Sequence, residues 1–448
     1  MERKLESSFK AGMYLLETLT SGMYNEPLTI YREYIQNAVD SLDMMRAKFR
    51  KTALEITINL DPKNKTITIR DSGIGISARK AGQILSTIGS SEKSGSGLRG
   101  FRGIGRLGGI AFSEKAVFRT KAEGEVIESV QEWDCGRLRG LLGDPKKASM
   151  KLSELFKHVT SFERTNSKKR HGSYFEVTLE GVSSFRNSIF DIHKVRNYLC
   201  EVAPVPFHDS EFSFSTRITD YLSSHVTNYG AYNIILNGAP VFKPYRNEVR
   251  VTKKGSNDHI DDVELFEIDI GGQLAACGWF GRRRNLLGSI AKGDISSGIK
   301  VRIGNLLLGD GHLLDRCFRE PRFNSYLIGE IHVDCPSLIP NSRRDDFVDN
   351  EMKALFYNSV ERQIGLPLSK QIRSRSRSYS ENKKTDCRQI QQKIDLNHVT
   401  AALKDPCNGK IDLGSYTPNN LPSSLKKVFA TCLGCSKLSS VLSKLQDE

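Results

Sequence analysis

One stretch restricts this chain more than any other: Tyr31-Arg32-Glu33-Tyr34-Ile35-Gln36-Asn37-Ala38-Val39-Asp40. It reads as helix, and the spacing i, i+4, i+7 projects Glu33, Asn37 and Asp40 from one face. Asp71-Ser72-Gly73-Ile74-Gly75-Ile76 follows, and then a glycine-dense run over residues 95–109. A carboxylate, a carboxamide, an Asp-x-Gly-x-Gly loop and a flexible glycine segment, in that order, are the parts of a nucleotide site.

The surrounding pattern explains how such parts would be delivered. Residues 30–51 form a long helix. Residues 55–60 and 66–69 alternate with period two, as strands do, and Asp61-Pro62-Lys63-Asn64-Lys65 between them is turn chemistry. This hairpin delivers Asp71 at its exit. Residues 77–87 read as a short helix capped by Ser77. The glycines and serines that continue to Gly109 read as a mobile lid. Strands are expected near 117–120, 125–133 and 174–179. A first segment, 1–205, is thus α+β. A second α+β segment, 206–365, carries strand-like runs at 232–236, 263–270, 300–303 and 330–334 and a helix from about 346. A basic linker or helix end at 366–386 and a small C-terminal region at 387–448 complete the expected organisation.

Length and composition bound the function classes. A chain of 448 residues holds two or three domains, and 38% hydrophobic residues permit real cores. No apolar run approaches the ~20 residues of a membrane helix, and the first residues show no secretory signal, so a cytoplasmic setting is expected. Nine scattered cysteines fit free thiols. The net charge of +14 suits nucleic acid or acidic proteins. Basic clusters stand at 168–170, 282–284 and 373–377, without interleaved aromatics for base stacking. Cys432-Leu433-Gly434-Cys435 lacks a second paired motif for structural zinc. No Ser/His/Asp hydrolase motif is evident. An apolar stripe from Leu421 to Leu438 suits either a helix packed on its own domain or a docking helix.

The ordered motifs resemble the GHKL ATPases: the ninety-kilodalton heat-shock chaperones, type II topoisomerases, MutL and MORC proteins. The resemblance spans residues 30–180 and implies an ATP-binding sandwich of the Bergerat type, a transducer-like second domain and a small C-terminal helical region. It implies that Glu33, four residues before Asn37, is the general base for water attack on the γ-phosphate, and that Asn37 ligates Mg2+. Asp40 resembles the family residue that supports the nucleotide. Asp71 would accept a hydrogen bond from the adenine amine, which favours adenine over guanine; Gly73 and Gly75 let the backbone approach the base. Gly172-Ser173 is similar to the family's Gly-Thr, with the Ser173 hydroxyl supporting the adenine-binding carboxylate. Gly100, Gly103 and Gly105 match Gly-x-x-Gly-x-Gly, whose amides cradle phosphates. Arg106 follows where the family often has an aromatic. Lys93 is a further phosphate partner or a solvated lid residue. No Walker A Gly-Lys-Ser/Thr occurs.

The second segment resembles the chaperone middle domain through residues 301–308 and Pro340-Asn341-Ser342-Arg343-Arg344. The family has one γ-phosphate-sensing arginine there. Matching the Ser-Arg pair gives Arg343; counting from Asn341 gives Arg344. The resemblance implies a magnesium-dependent, chaperone-like ATPase in which lid closure and domain docking remodel a protein client. A nucleic-acid-associated ATPase like MutL or MORC, and an ATP-dependent scaffold with little turnover, stand as alternatives. A homodimer is left open.

Overall fold

The computed structural model describes residues 12–18, 26–51, 53–89, 105–167, 172–182, 187–227, 229–252 and 256–393. Lys93, Gly100, Gly103, the basic cluster at 168–170 and the C-terminal stripe lie outside the described residues. The alternation of the first hairpin settles its pairing. In β1 (Glu55–Asp61) and β2 (Thr66–Asp71), Ile58 pairs with Ile69 and Asp61 with Thr66. Ile56, Ile58, Ile67 and Ile69 are all buried, each burial being worth about 1.5–3 kcal/mol. A slip of one residue would turn this set to solvent.

Around the hairpin lie β3 (Lys115–Lys121), β4 (Ile127–Asp134), β5 (Thr160–Asn166), β6 (Tyr174–Glu180), β7 (Asn233–Leu236) and β8 (Ala239–Pro240). They form one eight-stranded sheet, ordered β5-β4-β3-β6-β2-β1-β7-β8. β7 and β8 come from the segment expected to be a second domain, yet β7 runs parallel beside β1. The helix Thr29–Phe49 shares one core with this sheet, contributing Ile30, Tyr31, Ile35, Val39 and Leu42. It stops at Arg50, in the left-handed region at φ 53°, whose amide returns to Arg46 O at 3.0 Å. Arg46 and Lys48 in its last turn suit the negative end of the helix dipole.

A second sheet contains β9 (Glu248–Arg250), β10 (Asn257–Ile270), β11 (Gln273–Arg283), β12 (Gly298–Ile303), β13 (Leu306–Leu308) and β14 (Ile328–Val333). Its order is β13-β12-β14-β11-β10-β9. Gly271 and Gly272, both at positive φ, make the turn of the long β10–β11 hairpin. The architecture is mixed α+β, as expected. Two compact units divide the chain, Met1–Ser369 and Lys370–Glu448. Residues 366–386, expected as a linker or helix end, belong to a helix over Leu366–Lys393. Among the described residues, no helix is long and apolar enough to cross a membrane.

Two local expectations are corrected. Ser77 precedes the helix Ala78–Ser86 but its side chain makes no cap; the Glu125 carboxylate accepts from Ala78 N at 2.8 Å instead. Residues 105–109, read as part of a mobile lid, form a 3-10 helix, Gly105–Ala111, that buries Leu107, Gly108, Gly109 and Ile110. Tyr34 explains this. Its hydroxyl donates to Arg106 O at 3.0 Å and accepts from Gly109 N at 3.0 Å. A Cβ on Gly109 would meet that hydroxyl at 2.4 Å.

Candidate nucleotide site

Along β2 the inward positions are Ile67, Ile69 and Asp71. A carboxylate in the third core position needs polar partners. Ser41 Oγ and the Gly73 amide each donate to Asp71 Oδ1 at 2.9 Å. Ser41 follows Asp40 on the Thr29–Phe49 helix, so Asp71 is tied to the helix that carries Glu33 and Asn37. Ser173 Oγ donates to the Gly73 carbonyl at 2.6 Å. It supports the Asp71 loop through this backbone oxygen. Ile76 N donates to Thr120 Oγ1, which donates to Tyr174 O, at 2.9 and 3.0 Å, tying the loop to β3 and β6.

The loop glycines are required by the protein's own packing. A Cβ on Gly73 would lie 2.2 Å from Ser41 Oγ, and one on Gly75, at φ +64°, 2.1 Å from Lys121 O. The sequence reading assigned both to close approach of a base; the clashes present are with backbone and Ser41.

The three residues projected from the helix differ in exposure. Asp40 is fully buried, Asn37 is half-buried, and the Glu33 side chain is 13% exposed. A Cβ on Gly105 would sit 2.4 Å from Glu33 Oε2, so the start of the 3-10 helix presses directly against the carboxylate. The next residue, Arg106, donates to the Thr87 carbonyl, and burial pushes its guanidinium down to about 10. Arg106 therefore faces protein rather than open solvent.

From the second sheet's side, the loop after β14 reaches the same carboxylate. Arg344 Nε is 3.5 Å from Glu33 Oε1. Arg32 Nε is 4.0 Å from that oxygen, and Arg32 Nη2 donates to Arg343 O at 3.1 Å. Arg344 takes a positive φ of 59°, an uncommon conformation for a residue with a side chain. Its amide donates to Asn341 O at 3.2 Å and its carbonyl accepts from Gly309 N at 2.8 Å. Of the two arginines left open by the sequence, Arg344 brings its side chain to Glu33. Arg343 is exposed and offers its carbonyl to Arg32.

This geometry coincides with a family match: residues 29–166 fit the histidine kinase-, DNA gyrase B- and HSP90-like ATPases. The chain carries a GHKL-type ATPase domain. Chaperone protein HtpG of Acinetobacter baylyi is 31% identical over 150 residues, 29% of this chain and 23% of that protein. HtpG of Coxiella burnetii is 31% identical over 153 residues, 28% of this chain and 23% of that protein. HtpG of Halalkalibacterium halodurans is 29% identical over 153 residues, 30% and 24%. The matches thus span about a quarter of those relatives' length. Within the GHKL match fall Glu33, Asn37, Asp40, Asp71, Gly73, Gly75 and Gly105; Ser173 and Arg344 lie beyond it.

Four residues at the candidate site carry no motif that marks them in the sequence. Ser41 and Tyr34 act by hydrogen bonds across the fold. Arg32 and Gln36 flank Glu33, both buried. The helical projection could have found Gln36, which lies only about 60° round the helix from Glu33.

Proposed function

We propose that this chain is an ATP-driven conformational switch of chaperone-like type, hydrolysing ATP to ADP and phosphate. The observation that carries this reading is the meeting of Glu33, on the helix packed against the first sheet, with Arg344, in the loop that follows the last strand of the second, 3.5 Å apart. An arginine fork suits phosphate as well as carboxylate. A γ-phosphate placed beside Glu33 competes for Arg344, so nucleotide state and the β14 loop are linked. Asp71, whose carboxylate can only accept, selects the adenine amine. Glu33 accepts the proton of the attacking water. Asp40 supports the nucleotide from within the helix, and Ser173 holds the Asp71 loop. The amides from Gly100, Gly103 and Gly105 cradle phosphates.

Mg2+ fits one protein ligand, the Asn37 carboxamide oxygen, since this ion keeps phosphate oxygens and waters around it. Among the described residues no group of three or more His, Cys, Asp or Glu offers it another cage. Bound there, it would neutralise charge on the phosphates. Lid closure, a protein client, a homodimer and a cytoplasmic setting belong to the same proposal; the HtpG relatives, named as chaperones, support the client class.

A second reading, a nucleic-acid-associated ATPase, draws on the exposed Arg375 and Arg377 of the Leu366–Lys393 helix. The 282–284 cluster lends it less: Arg283 is buried against Asp258, and Arg284 pairs with Asp261 at 2.8 Å. ATP turnover by the purified chain, alone, with duplex DNA and with a denatured protein, tests both. Stimulation by unfolded protein supports the first reading. Stimulation by DNA with steep salt dependence replaces it with the second. ATP binding without turnover would leave a scaffold.

A further inference from the structure

Among the described residues, seven buried side-chain nitrogen and oxygen atoms lack a hydrogen-bond partner, and four belong to Arg32, Gln36 and Arg106. Arg32 and Gln36 neighbour Glu33 on its helix, and Arg106 neighbours it through the chain at Gly105. Arg32 precedes it, Gln36 follows one helical turn later, and Arg106 follows the Gly105 that presses on Glu33 Oε2. Two of the three residues thus share the helix with Glu33, within one turn of it, and Arg32 Nε stands 4.0 Å from its carboxylate.

Gln36 is the most informative of them. It is 1% exposed, and both its Oε1 and its Nε2 are unpaired. Burying a carboxamide with neither end satisfied costs on the order of 1–3 kcal/mol for each group. Native proteins rarely tolerate this without a ligand, water or ion to fill the gap. The partner must accept from the amide N–H and also donate to the carbonyl. Phosphate oxygens at neutral pH only accept from the N–H, and Mg2+ would engage only the carbonyl. Water does both. On a helix, residues three apart lie close enough for their ends to converge on one such molecule.

We propose that the Gln36 carboxamide holds the water that attacks the terminal phosphate, with Glu33 as its base. This rests on the proposed ATPase reading and deepens it. Gln36 orients the water oxygen by donating from Nε2 and accepting at Oε1. As the bond from that oxygen to γ-phosphorus forms, the bond from γ-phosphorus to the bridging oxygen breaks. ADP leaves with the electron pair, and the water's proton passes to Glu33.

The test uses the full chain with Gln36→Met, close in shape and without polar ends. The kcat for ATP should fall about a hundred- to a thousandfold, the loss typical of one preorganised polar group. KM and the Kd of a non-hydrolysable ATP analogue should stay within twofold. Without nucleotide, the Tm should hold or rise, because a buried unpaired amide has gone. In Gln36→Glu, a second carboxylate within one turn of Glu33 should move the acid limb of the kcat–pH profile upward. Unchanged kcat in Gln36→Met overturns the inference, as does weakened analogue binding at constant kcat, which would put Gln36 on the nucleotide. A nucleotide-free Tm lowered so far that the unfolded fraction at the assay temperature accounts for the lost kcat reduces Gln36 to a structural group and overturns it too. If the unmutated chain itself fails to hydrolyse ATP, the ATPase reading falls first and takes this inference with it.

Discussion

Two buried polar clusters in the same compact unit have opposite bookkeeping. In the second sheet, Glu330 on β14 accepts from Lys243 Nζ at 2.8 and 3.0 Å, from Tyr245 at 3.1 Å and from Arg302 Nε. Lys243 also donates to Asn305, and Arg302 to the carbonyls of Asn305 and Glu201. Burial opposes the Glu330 charge, but Arg302 and Lys243 outweigh it and hold the carboxyl well below its usual range. That cluster satisfies itself, apart from one nitrogen of His332. Around Glu33, by contrast, Arg32, Gln36 and Arg106 keep unpaired atoms. Both regions carry ionisable groups in protein interior, and residue type alone does not separate them. Saturation does: a closed network specifies structure, whereas an open one is arranged for something that arrives.

Substitutions should split accordingly. Glu33→Ala removes the proposed base, so ATP turnover should fall by about 10²–10⁴ while ATP binding and unfolding midpoint hold. Persistent turnover would mean that the open cluster is not the chemical centre. Glu330→Ala leaves Lys243 and Arg302 buried without their counter-charge, and the expected destabilisation is about 3–5 kcal/mol by urea titration. If Glu330→Ala instead lowered kcat at unchanged stability, the distinction between the two clusters would collapse.

Asp71→Asn keeps an Oδ1 acceptor for Ser41 and Gly73 but loses the charge and offers an N–H where adenine donates. ATP affinity measured by calorimetry should fall roughly ten- to a hundredfold, as for a hydrogen bond to a charged group, with guanine nucleotides losing nothing. Arg344→Ala should lower turnover about a hundredfold, the low end for a group that meets developing phosphate charge only when docked. A matched loss in nucleotide binding by the isolated ground state would place Arg344 in uniform binding instead.

Much of this was legible. The β1–β2 hairpin followed from strict alternation, and the helix over residues 29–49 from its motif, because both signals are local. β5 was missed: its residues Ser161–Asn166 are all exposed at a sheet edge, so no apolar pattern marks Thr-Ser-Phe-Glu-Arg-Thr-Asn. β7 reads as a strand in the sequence but not as a neighbour of β1, since the pairing of Glu55 with Asn233, so far apart in the chain, leaves no trace in either segment. The choice between Arg343 and Arg344 turned on a positive φ in one loop. Gln36 looked like an ordinary helix residue until its burial and lack of partners were known. Distance in the chain, and the state of satisfaction of a polar group, are the two properties that sequence pattern carries least.

The smallest effect expected is also the one that best probes the closed cluster. His332 lies fully buried with Nε2 3.0 Å from Glu330 Oε2, and its Nδ1 has no partner. A neutral ring can donate from Nε2 and leave Nδ1 bare; a charged ring would put an N–H there with nothing to receive it. Burial thus lowers the His332 pKa to about 4 against the opposing pull of the Glu330 carboxylate, with the Lys243 and Arg302 charges acting in the same direction as burial. The unfolded chain, near the ordinary histidine value, then binds more protons than the folded one between pH 4 and 6.5, so stability falls as pH falls through that window. From pH 7 to 5.5 this one ring should remove about 1 kcal/mol. Other groups titrate in the same range, which makes the difference between two proteins the proper measurement. His332→Gln keeps an N–H donor for Glu330 but cannot take a proton, and its urea midpoint should fall less steeply with pH than that of the unmutated chain. Parallel curves would mean that the charged His332 ring finds an acceptor for Nδ1 and costs nothing to bury, so that the bare nitrogen is no constraint on the cluster.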